Sequence, residues 1–113
     1  CTNLIELDIS NFTTSNVTNL ALMFGNCRSL KELDLSNFNT TNVTNMNRMF
    51  EHCHNLKTIY VSDLWNMSNV TNSVNMFLNC TSLTGAVPFD SSKTDVSMAN
   101  YTTGYLTYKK NTN

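Results

Sequence analysis

Apolar and polar residues follow two short patterns that return along the chain at a nearly constant interval. In the segment Leu33-Asp34-Leu35 they alternate, which predicts a short strand with one buried face. Further along, apolar residues recur at helical spacing at Val43, Met46, Met49, Phe50 and Cys53. This second pattern predicts a helix of one or two turns, with Thr44 well placed as its N-cap.

Four cysteines mark the register of this repeat. They stand at intervals of 26, 26 and 27 residues, and the apolar positions return with them. The cysteines are Cys1, Cys27, Cys53 and Cys80. The chain is therefore expected to be one repeat domain of 113 residues, in which three units precede a divergent unit with a C-terminal cap. The boundaries of these parts are 1–26, 27–52, 53–79 and 80–113.

A unit of this length is too short to bury both of its apolar stripes by itself. Stacking on neighbouring units closes a continuous core, in which Leu7, Leu33 and Ile59 become nearest neighbours. The pattern LxxLxL on a period of roughly 20 to 29 residues is the signature of leucine-rich repeats. We therefore predict an α/β solenoid, a right-handed coil of leucine-rich-repeat type. It has one parallel β-sheet, short helices on the opposite face and a C-terminal cap.

The pattern decays after Cys80. Pro88 lacks the amide that a β-ladder requires, so strand pairing is expected to stop there. Tyr101, Tyr105 and Tyr108 follow in the tail. We expect a turn-and-strand cap, whose tyrosine rings cover the last unit while their hydroxyls face water.

Composition narrows the range of functions. Charged residues make up 13% of the chain and the net charge is −1, whereas about a quarter of an average protein is charged. Binding to nucleic acid calls for a basic face, so we expect no nucleic-acid partner. No apolar stretch approaches the ~20 residues of a membrane span, so none is expected. Asparagine, threonine and serine are abundant, and their expected role is to satisfy backbone groups in turns.

The repeat units carry a specific resemblance. The segments LKELDLSNFNTTNVTNMNRMFEHC and LIELDISNFTTSNVTNLALMFGNC resemble the BspA-like leucine-rich repeats of bacterial surface proteins. They look like the 26-residue variant LDLSNFxTSNVTxMxxMFxxC. The match is close over residues 1–83 and departs from the pattern at Tyr60 and Leu64-Trp65. The resemblance implies a secreted or lipid-anchored protein with a role in adhesion and binding of host proteins.

The cysteines allow two interpretations. An even number in a short exported chain suggests disulfide bonds. Equivalent positions on stacked units, however, have parallel Cα–Cβ bonds, which leaves their Cβ atoms ~4.8 Å apart, beyond the usual range of about 3.5–4.5 Å. A linear stack is not a tetrahedral metal site either. We predict a structural ladder of buried free thiols at Cys1, Cys27, Cys53 and Cys80.

His52 and His54 flank Cys53, which suggests either a Cys-His nucleophile pair or two metal ligands. Neighbouring side chains point apart, and no motif places an Asp or Asn to orient a catalytic histidine. We expect two exposed turn histidines. The chain is predicted to have no catalytic residue, no cofactor and no metal site.

The polar residues that alternate with the strand leucines are the candidate ligand-binding residues. They should stand in two outward columns, with Glu6, Glu32, Thr58 and Gly85 in one and Asp8, Asp34, Tyr60 and Val87 in the other. Stacked carboxylates repel each other and could take a cation such as calcium. The alternative is a solvated acidic face, partly balanced by Lys31 and Lys57. The binding candidates are Glu6, Asp8, Glu32, Asp34, Thr58 and Tyr60.

Two aromatic residues break the repeat in the third unit. Trp65 keeps the register of Phe12 and Phe38, so it is expected in the core. Tyr60 lies in an outward column, where an exposed aromatic side chain would serve as an interface anchor.

Together with the resemblance, these features predict a non-catalytic binding or adhesion module of a bacterial cell-surface or secreted protein. It would contact an extracellular protein or glycan through its sheet face. The alternative is a structural spacer without a ligand of its own. The chain begins in mid-pattern, so we expect it to be a mature end or a piece of a longer array. Its first strand, Leu4–Ile9, has an open edge through which copies of the chain could associate.

Overall fold

The computed structural model describes residues 14–111. Its regular elements are the strands β1 (Glu32–Asp34), β2 (Thr58–Val61) and β3 (Thr107–Tyr108) and one 3₁₀ helix, Val96–Met98. The three strands form one parallel sheet in the order β1-β2-β3. The open edge expected at Leu4–Ile9 lies outside the described residues.

Adjacent repeat units stack in register. Leu33 of β1 lies opposite Ile59 of β2, one repeat further along the chain, which confirms the predicted neighbour relation for this pair. Leu7, the third predicted neighbour, lies outside the described residues. The rings of Phe24, Phe50 and Phe77 form a second stack, with centroids 5.8 and 5.5 Å apart and nearly parallel planes. These buried side chains make the core, which lies between the sheet and the turns that follow it.

The helices predicted for each unit are absent from residues 14–111, and consecutive β-turns take their place. In the unit 27–52, the amides of Met49 and Glu51 donate to carbonyl groups three residues back. Arg48 and His52 have positive φ angles of 57° and 64°. An α-helix requires φ near −60° and hydrogen bonds to the carbonyl four residues back, so this segment cannot be helical.

Competition for the same amide groups explains this outcome. Alternate amides of the turn segment donate to carbonyl groups of the next unit. These bonds run from Met46 to Asn72 at 2.8 Å, from Arg48 to Val74 at 3.0 Å and from Phe50 to Met76 at 2.9 Å. A helix would use those amides within its own unit. Stacking therefore displaces the helix, while the apolar residues of the segment still bury one side.

The predicted fold class, a right-handed α/β solenoid of leucine-rich-repeat type with short helices on the opposite face, is therefore wrong. The protein is a compact body built on a small parallel sheet, with Cα extents of 29 × 27 × 23 Å. Its radius of gyration is 12.5 Å, close to the ~13 Å of a globular domain of this length. At the ~4.8 Å spacing of strands, the few units of this chain stack over only a short distance and build no long coil.

Thr44, which was expected to cap a helix, and Thr71, its counterpart in the next unit, join the units instead. The hydroxyl of Thr44 donates to the carbonyl of Thr18 at 3.2 Å, and that of Thr71 donates to the carbonyl of Thr44 at 3.3 Å. The side-chain amide of Asn69 donates to the carbonyl of Thr41 at 2.6 Å. The predicted role of these polar residues, satisfying backbone groups of turns, is confirmed. Their partners belong to the preceding unit.

The tail occupies the place that a fourth repeat strand would have. The amide of Thr84 still donates to the carbonyl of Lys57 at 3.0 Å, and the chain then turns away before Pro88. In the place of that fourth repeat strand, β3 pairs with β2. Gly85 permits this crossing, because a Cβ atom there would lie 2.3 Å from the carbonyl carbon of Tyr105.

Tyr105 fastens the tail to the core. Its ring meets Phe77 edge-on at 5.3 Å. Its hydroxyl accepts from the amide of Asp90 at 3.0 Å and donates to the carbonyl of Lys93 at 2.6 Å. The expectation that the tail tyrosines would turn their hydroxyls to water is therefore wrong for Tyr105.

Candidate functional site

The outward face of the sheet carries the candidate residues that the structure describes. Glu32 is exposed, and Asp34, Thr58 and Tyr60 are half-buried. The residues that alternate with them are buried in the core. The strands therefore divide inward from outward side chains as the alternation predicted.

Register brings these four side chains together. Glu32 lies opposite Thr58, and Asp34 lies opposite Tyr60. Directly opposed residues on neighbouring strands are in contact distance of each other, so the four form one continuous area. We call it the sheet face, together with the tail residues Thr107 and Lys109, which join it as described below.

The tail changes the composition of both columns. Tyr60 is paired on its other side with Thr107 of β3, where Val87 was expected. The amide of Val87 instead donates to the carbonyl of Gly104. Gly85 likewise belongs to no strand, so the predicted placement of Gly85 and Val87 in the columns is wrong. The crossing of the tail at Gly85 is the physical reason.

A lysine from the tail lies across the sheet face. The Nζ atom of Lys109 is 2.6 Å from Oδ2 of Asp34 and 5.4 Å from the centre of the Tyr60 ring. The other carboxylate oxygen of Asp34 accepts from the amide of Ser36 at 2.9 Å. The backbone amide of Lys109 donates to the carbonyl of Val61 at 2.8 Å. Acidic, aromatic and basic groups thus meet in one small area.

Electrostatics favour the charged state of both partners in this ion pair. Partial burial acts to raise the pKa of Asp34, but hydrogen bonds from Lys109 and Ser36 outweigh it and hold that pKa below its usual value. The hydrogen bond to Asp34 raises the pKa of Lys109. The carboxylate and the ammonium group are therefore both ionised at neutral pH.

Residues 14–111 contain no site for the calcium ion that the stacked carboxylates could have bound. No three His, Cys, Asp or Glu side chains come together there in a group that could hold a metal ion. Asp34, which was to contribute ligands, is bonded to Lys109. Glu6 and Asp8 lie outside the described residues.

The cysteine ladder is not made of thiols throughout. Cys53 and Cys80 are free and buried, whereas Cys27 is disulfide-bonded. The prediction of a free thiol is therefore wrong for Cys27 and confirmed for the other two, and Cys1 lies outside the described residues. Ideal parallel stacking places the Cβ atoms ~4.8 Å apart, which is beyond the usual upper limit by only a few tenths of an ångström. That margin is too small to exclude a bridge.

The two free thiols are poor nucleophiles. Burial raises the pKa of Cys53 to about 11 and raises that of Cys80 further above its ordinary value. Each thiol donates to a backbone carbonyl of the preceding unit, Cys53 to Phe24 at 3.0 Å and Cys80 to Phe50 at 2.9 Å. Because the thiolate is the reactive form, both groups are inert at neutral pH.

His52 and His54 lie side by side on the turn, with ring centroids 5.9 Å apart. Nδ1 of His52 is 3.0 Å from the side-chain amide nitrogen of Asn79, and its Nε2 is 3.7 Å from a carboxylate oxygen of Glu51. The thiol of Cys53 is turned inward and bonded to a backbone carbonyl. A Cys-His nucleophile pair is therefore not formed.

The two aromatic residues that break the repeat have separate roles. Trp65 is buried, and its indole Nε1 donates to the carbonyl of Ala99 at 3.0 Å, which confirms its predicted place in the core. Tyr60 is half-buried on the sheet face, beneath Lys109. Only Tyr60 is therefore available as an anchor for a partner.

A second aromatic group borders the sheet. The rings of Tyr101 and Tyr108 are 5.0 Å apart, and both hydroxyls reach the carboxylate of Asp63, at 3.5 and 3.3 Å. Burial together with the charge of Asp63 raises the pKa of Tyr108. These hydroxyls are held by the carboxylate, so this group fixes the tail next to the sheet.

A cleft of about 460 Å³ opens on the tail side of the molecule. Its lining combines apolar and polar residues, namely Val87, Pro88, Asp90, Lys93, Ser97, Met98 and Thr103. The hydroxyl of Ser97 donates to Asp95 at 2.6 Å, and one oxygen of Asp90 accepts from Ser92. The polar groups of the cleft are thus largely engaged within the chain.

Lys109 and Thr107 are the site residues that sequence reasoning missed. The sequence predicted a turn-and-strand cap in the tail, but it gave no partner for the strand of that cap. Lys109 pairs with a residue 75 positions earlier, and no local pattern encodes such a pairing.

The fold and the sheet face define a repeat protein whose units of 26 or 27 residues stack in register through a parallel sheet and turns. The chain belongs to the family DUF285, described as a Mycoplasma protein of unknown function, whose model matches residues 1–113. No curated protein and no solved structure matches the chain. Among the described residues, no helix has the length and apolar character needed to cross a membrane.

Proposed function

We propose that this chain is a non-catalytic binding module of a bacterial cell-surface or secreted protein, which contacts an extracellular protein or glycan through the sheet face. The observation that carries the proposal is the grouping of unlike chemistries on that face. The face brings together the carboxylates of Glu32 and Asp34, the ring of Tyr60 and the ammonium group of Lys109. These side chains point away from the core, so packing in the core does not determine which residues stand there.

The framework under the face supports this role. Its strands are held from below by buried residues, and the turns are joined unit to unit by backbone hydrogen bonds. A face fixed in this way loses little conformational entropy on binding, which favours affinity. The inert state of Cys53 and Cys80 favours binding over nucleophilic catalysis.

Two observations support an extracellular location. The disulfide at Cys27 is of a kind that persists in oxidising compartments and is rare in the cytosol. The repeat units also resemble the BspA-like repeats of surface proteins, in the 26-residue variant quoted above. In cells that express the gene product, protease treatment of intact cells should release peptides of this chain. Peptides that appear only after lysis would contradict the location.

The binding role can be tested with the purified chain on arrays of extracellular-matrix proteins and of glycans. We expect a ligand whose affinity falls at least about tenfold on Tyr60→Ala, because an aromatic anchor commonly contributes more than 1.4 kcal/mol. The matched control is Val74→Ser, which removes an exposed apolar side chain from a turn. It should change the affinity less than about twofold.

A structural spacer would behave differently. It would bind nothing on either array, or bind in a way that Tyr60→Ala leaves unchanged. Either result contradicts the proposed function, provided that thermal unfolding shows the variant to be folded.

A further inference from the structure

Lys109 occupies a cradle formed by two outward residues of the sheet. Its ammonium group contacts the Asp34 carboxylate at 2.6 Å and lies 5.4 Å from the centre of the Tyr60 ring. A carboxylate and an aromatic face are the two groups that bind a basic side chain best, the first by a charge-assisted hydrogen bond and the second by cation–π attraction. The chain itself thus shows which ligand chemistry the cradle takes.

The cradle does not depend on Lys109 for its shape. Asp34 and Tyr60 are directly opposed residues of β1 and β2, and the amide of Leu35 donates to the carbonyl of Tyr60 at 2.8 Å. The amide of Ser36 holds the second oxygen of Asp34 at 2.9 Å. Glu32 adds a further negative charge nearby, which acts to raise the pKa of Lys109. The site is therefore preorganised for a cation.

The lysine that fills it is displaceable. The side chain of Lys109 is 51% exposed and that of Asp34 43% exposed, so water and a partner both reach the ion pair. Exposed lysine side chains change rotamer within picoseconds to nanoseconds, and surface ion pairs are weak. The hydrogen bond that anchors Lys109 to β2 is made by its backbone, so the side chain can leave while the tail remains paired.

We infer that Asp34 and Tyr60 form a recognition site for a lysine or arginine side chain of a protein partner, and that Lys109 fills this site until the partner displaces it. This inference rests on the proposed function and deepens it, because it names the partner as a protein that presents a basic residue. Lys109 then acts as an internal competitor, and the apparent affinity for the partner equals the intrinsic affinity multiplied by the fraction of time that the cradle is free.

The probe for this site is a short peptide, Gly-Gly-Lys-Gly-Gly, capped at both ends, and the matched control peptide has norleucine in place of lysine. Binding is measured by the shifts of backbone amide signals in NMR titrations at low salt, where charge pairing is least screened. Lys109→Met removes the competing charge and keeps an unbranched stem. We expect it to tighten binding of the lysine peptide at least about threefold over the parent chain.

Three comparisons make the test specific. Lys110→Met, the matched control, should leave affinity unchanged. Adding Asp34→Asn or Tyr60→Ala to Lys109→Met should return affinity to the parent level or below, while the shifts of core signals show that the fold is retained. The norleucine peptide should not bind. Equal affinity of the parent and Lys109→Met, or equal binding of the two peptides, would overturn the inference.

This outcome is distinguishable from failure of the proposed function. If the lysine peptide fails while an array ligand still depends on Tyr60, the inference is overturned and the binding role stands. If no array ligand depends on Tyr60 while the cradle binds the lysine peptide as described, the recognition site is supported and the proposed binding function is contradicted.

Discussion

The thiol of Cys53 donates a hydrogen bond to the backbone carbonyl of Phe24, 3.0 Å away in the preceding repeat unit. The same carbonyl also accepts from the amide of Cys27 at 3.3 Å. The thiol therefore satisfies the second lone pair of a buried turn carbonyl, and it does so at little cost because a thiol is nearly apolar. The thiol of Cys80 makes the same bond to the carbonyl of Phe50, which explains why cysteine stands at the end of both of these turn segments.

The cysteines should differ in their reactivity towards alkylating agents, because Cys53 and Cys80 are buried thiols and Cys27 is disulfide-bonded. Without denaturant, Cys53 and Cys80 should resist alkylation by iodoacetamide, because both are buried and protonated. In denaturant without reductant, both should be labelled and Cys27 should not. Peptide mass spectrometry reads each position separately. Labelling of Cys27 before reduction would show that its disulfide is not formed, and rapid labelling of Cys53 in the native chain would contradict its burial.

Stability should fall in alkaline solution. The pKa of Cys53 rises from 9.0 to about 11 on folding, so the folded state retains a proton that the unfolded chain releases in this range. Cys53 therefore leaves the free energy of unfolding unchanged below pH 9 and lowers it between pH 9 and about 11. Its contribution to the loss is roughly 3 kcal/mol at most, and Cys80, whose pKa is raised further, adds its own contribution. Urea unfolding at a series of pH values measures it.

Cys53→Ala is the control for this pH dependence. The variant loses the hydrogen bond to Phe24 and should be less stable at neutral pH, by about 1–2 kcal/mol. Its stability should nevertheless decrease less between pH 9 and 11 than that of the parent chain. An identical decrease in both proteins would assign the alkaline loss to other groups.

The strands were predictable from the sequence because alternation of apolar and polar residues indicates a strand with one buried face. Leu33 and Ile59 were placed opposite each other from the repeat alone, and the register confirms it. The outward positions of Asp34 and Tyr60 followed from the same alternation. At these positions the alternation along the strand and the stacking of the repeat predict the same buried and outward residues, so each supports the other.

The turns were not predictable in the same way. Apolar residues at Met46, Met49 and Cys53 bury one side of the segment whether it forms a helix or consecutive turns. The choice depends on whether the amide of Arg48 bonds within its unit or to Val74 of the next unit, and that is a tertiary interaction. Spacing alone cannot distinguish the two conformations.

The site was predictable only in the part that the strands contribute. Glu32, Asp34, Thr58 and Tyr60 come from the repeat and were found by its period. Lys109 comes from the tail, which has no repeat, and its position follows from the pairing of β3 with β2. Contacts between distant segments of unlike sequence lie beyond periodicity arguments.

Gly85→Ala should destabilise the attachment of the tail. A Cβ atom at this position would lie 2.3 Å from the carbonyl carbon of Tyr105, and backbone atoms cannot move aside cheaply. We expect a loss of about 1–3 kcal/mol in urea unfolding, the range of an overpacked core. Gly25→Ala is the control, since its nearest contact is 3.3 Å. A cost for Gly85→Ala no greater than that of the control would contradict the close crossing.

Leu22→Asn should stabilise the protein. Leu22 has a positive φ of 62° and is 55% exposed, and the equivalent position of the third unit, Asn75, already carries asparagine at φ 55°. The left-handed conformation costs leucine about 1–2 kcal/mol, whereas asparagine tolerates it, so we expect a gain of roughly 0.5–1 kcal/mol in urea unfolding. Leu22→Ala loses the same exposed apolar surface but keeps the strain, and it should bring no gain. Equal stability of the two variants would show that the backbone at this turn is not strained.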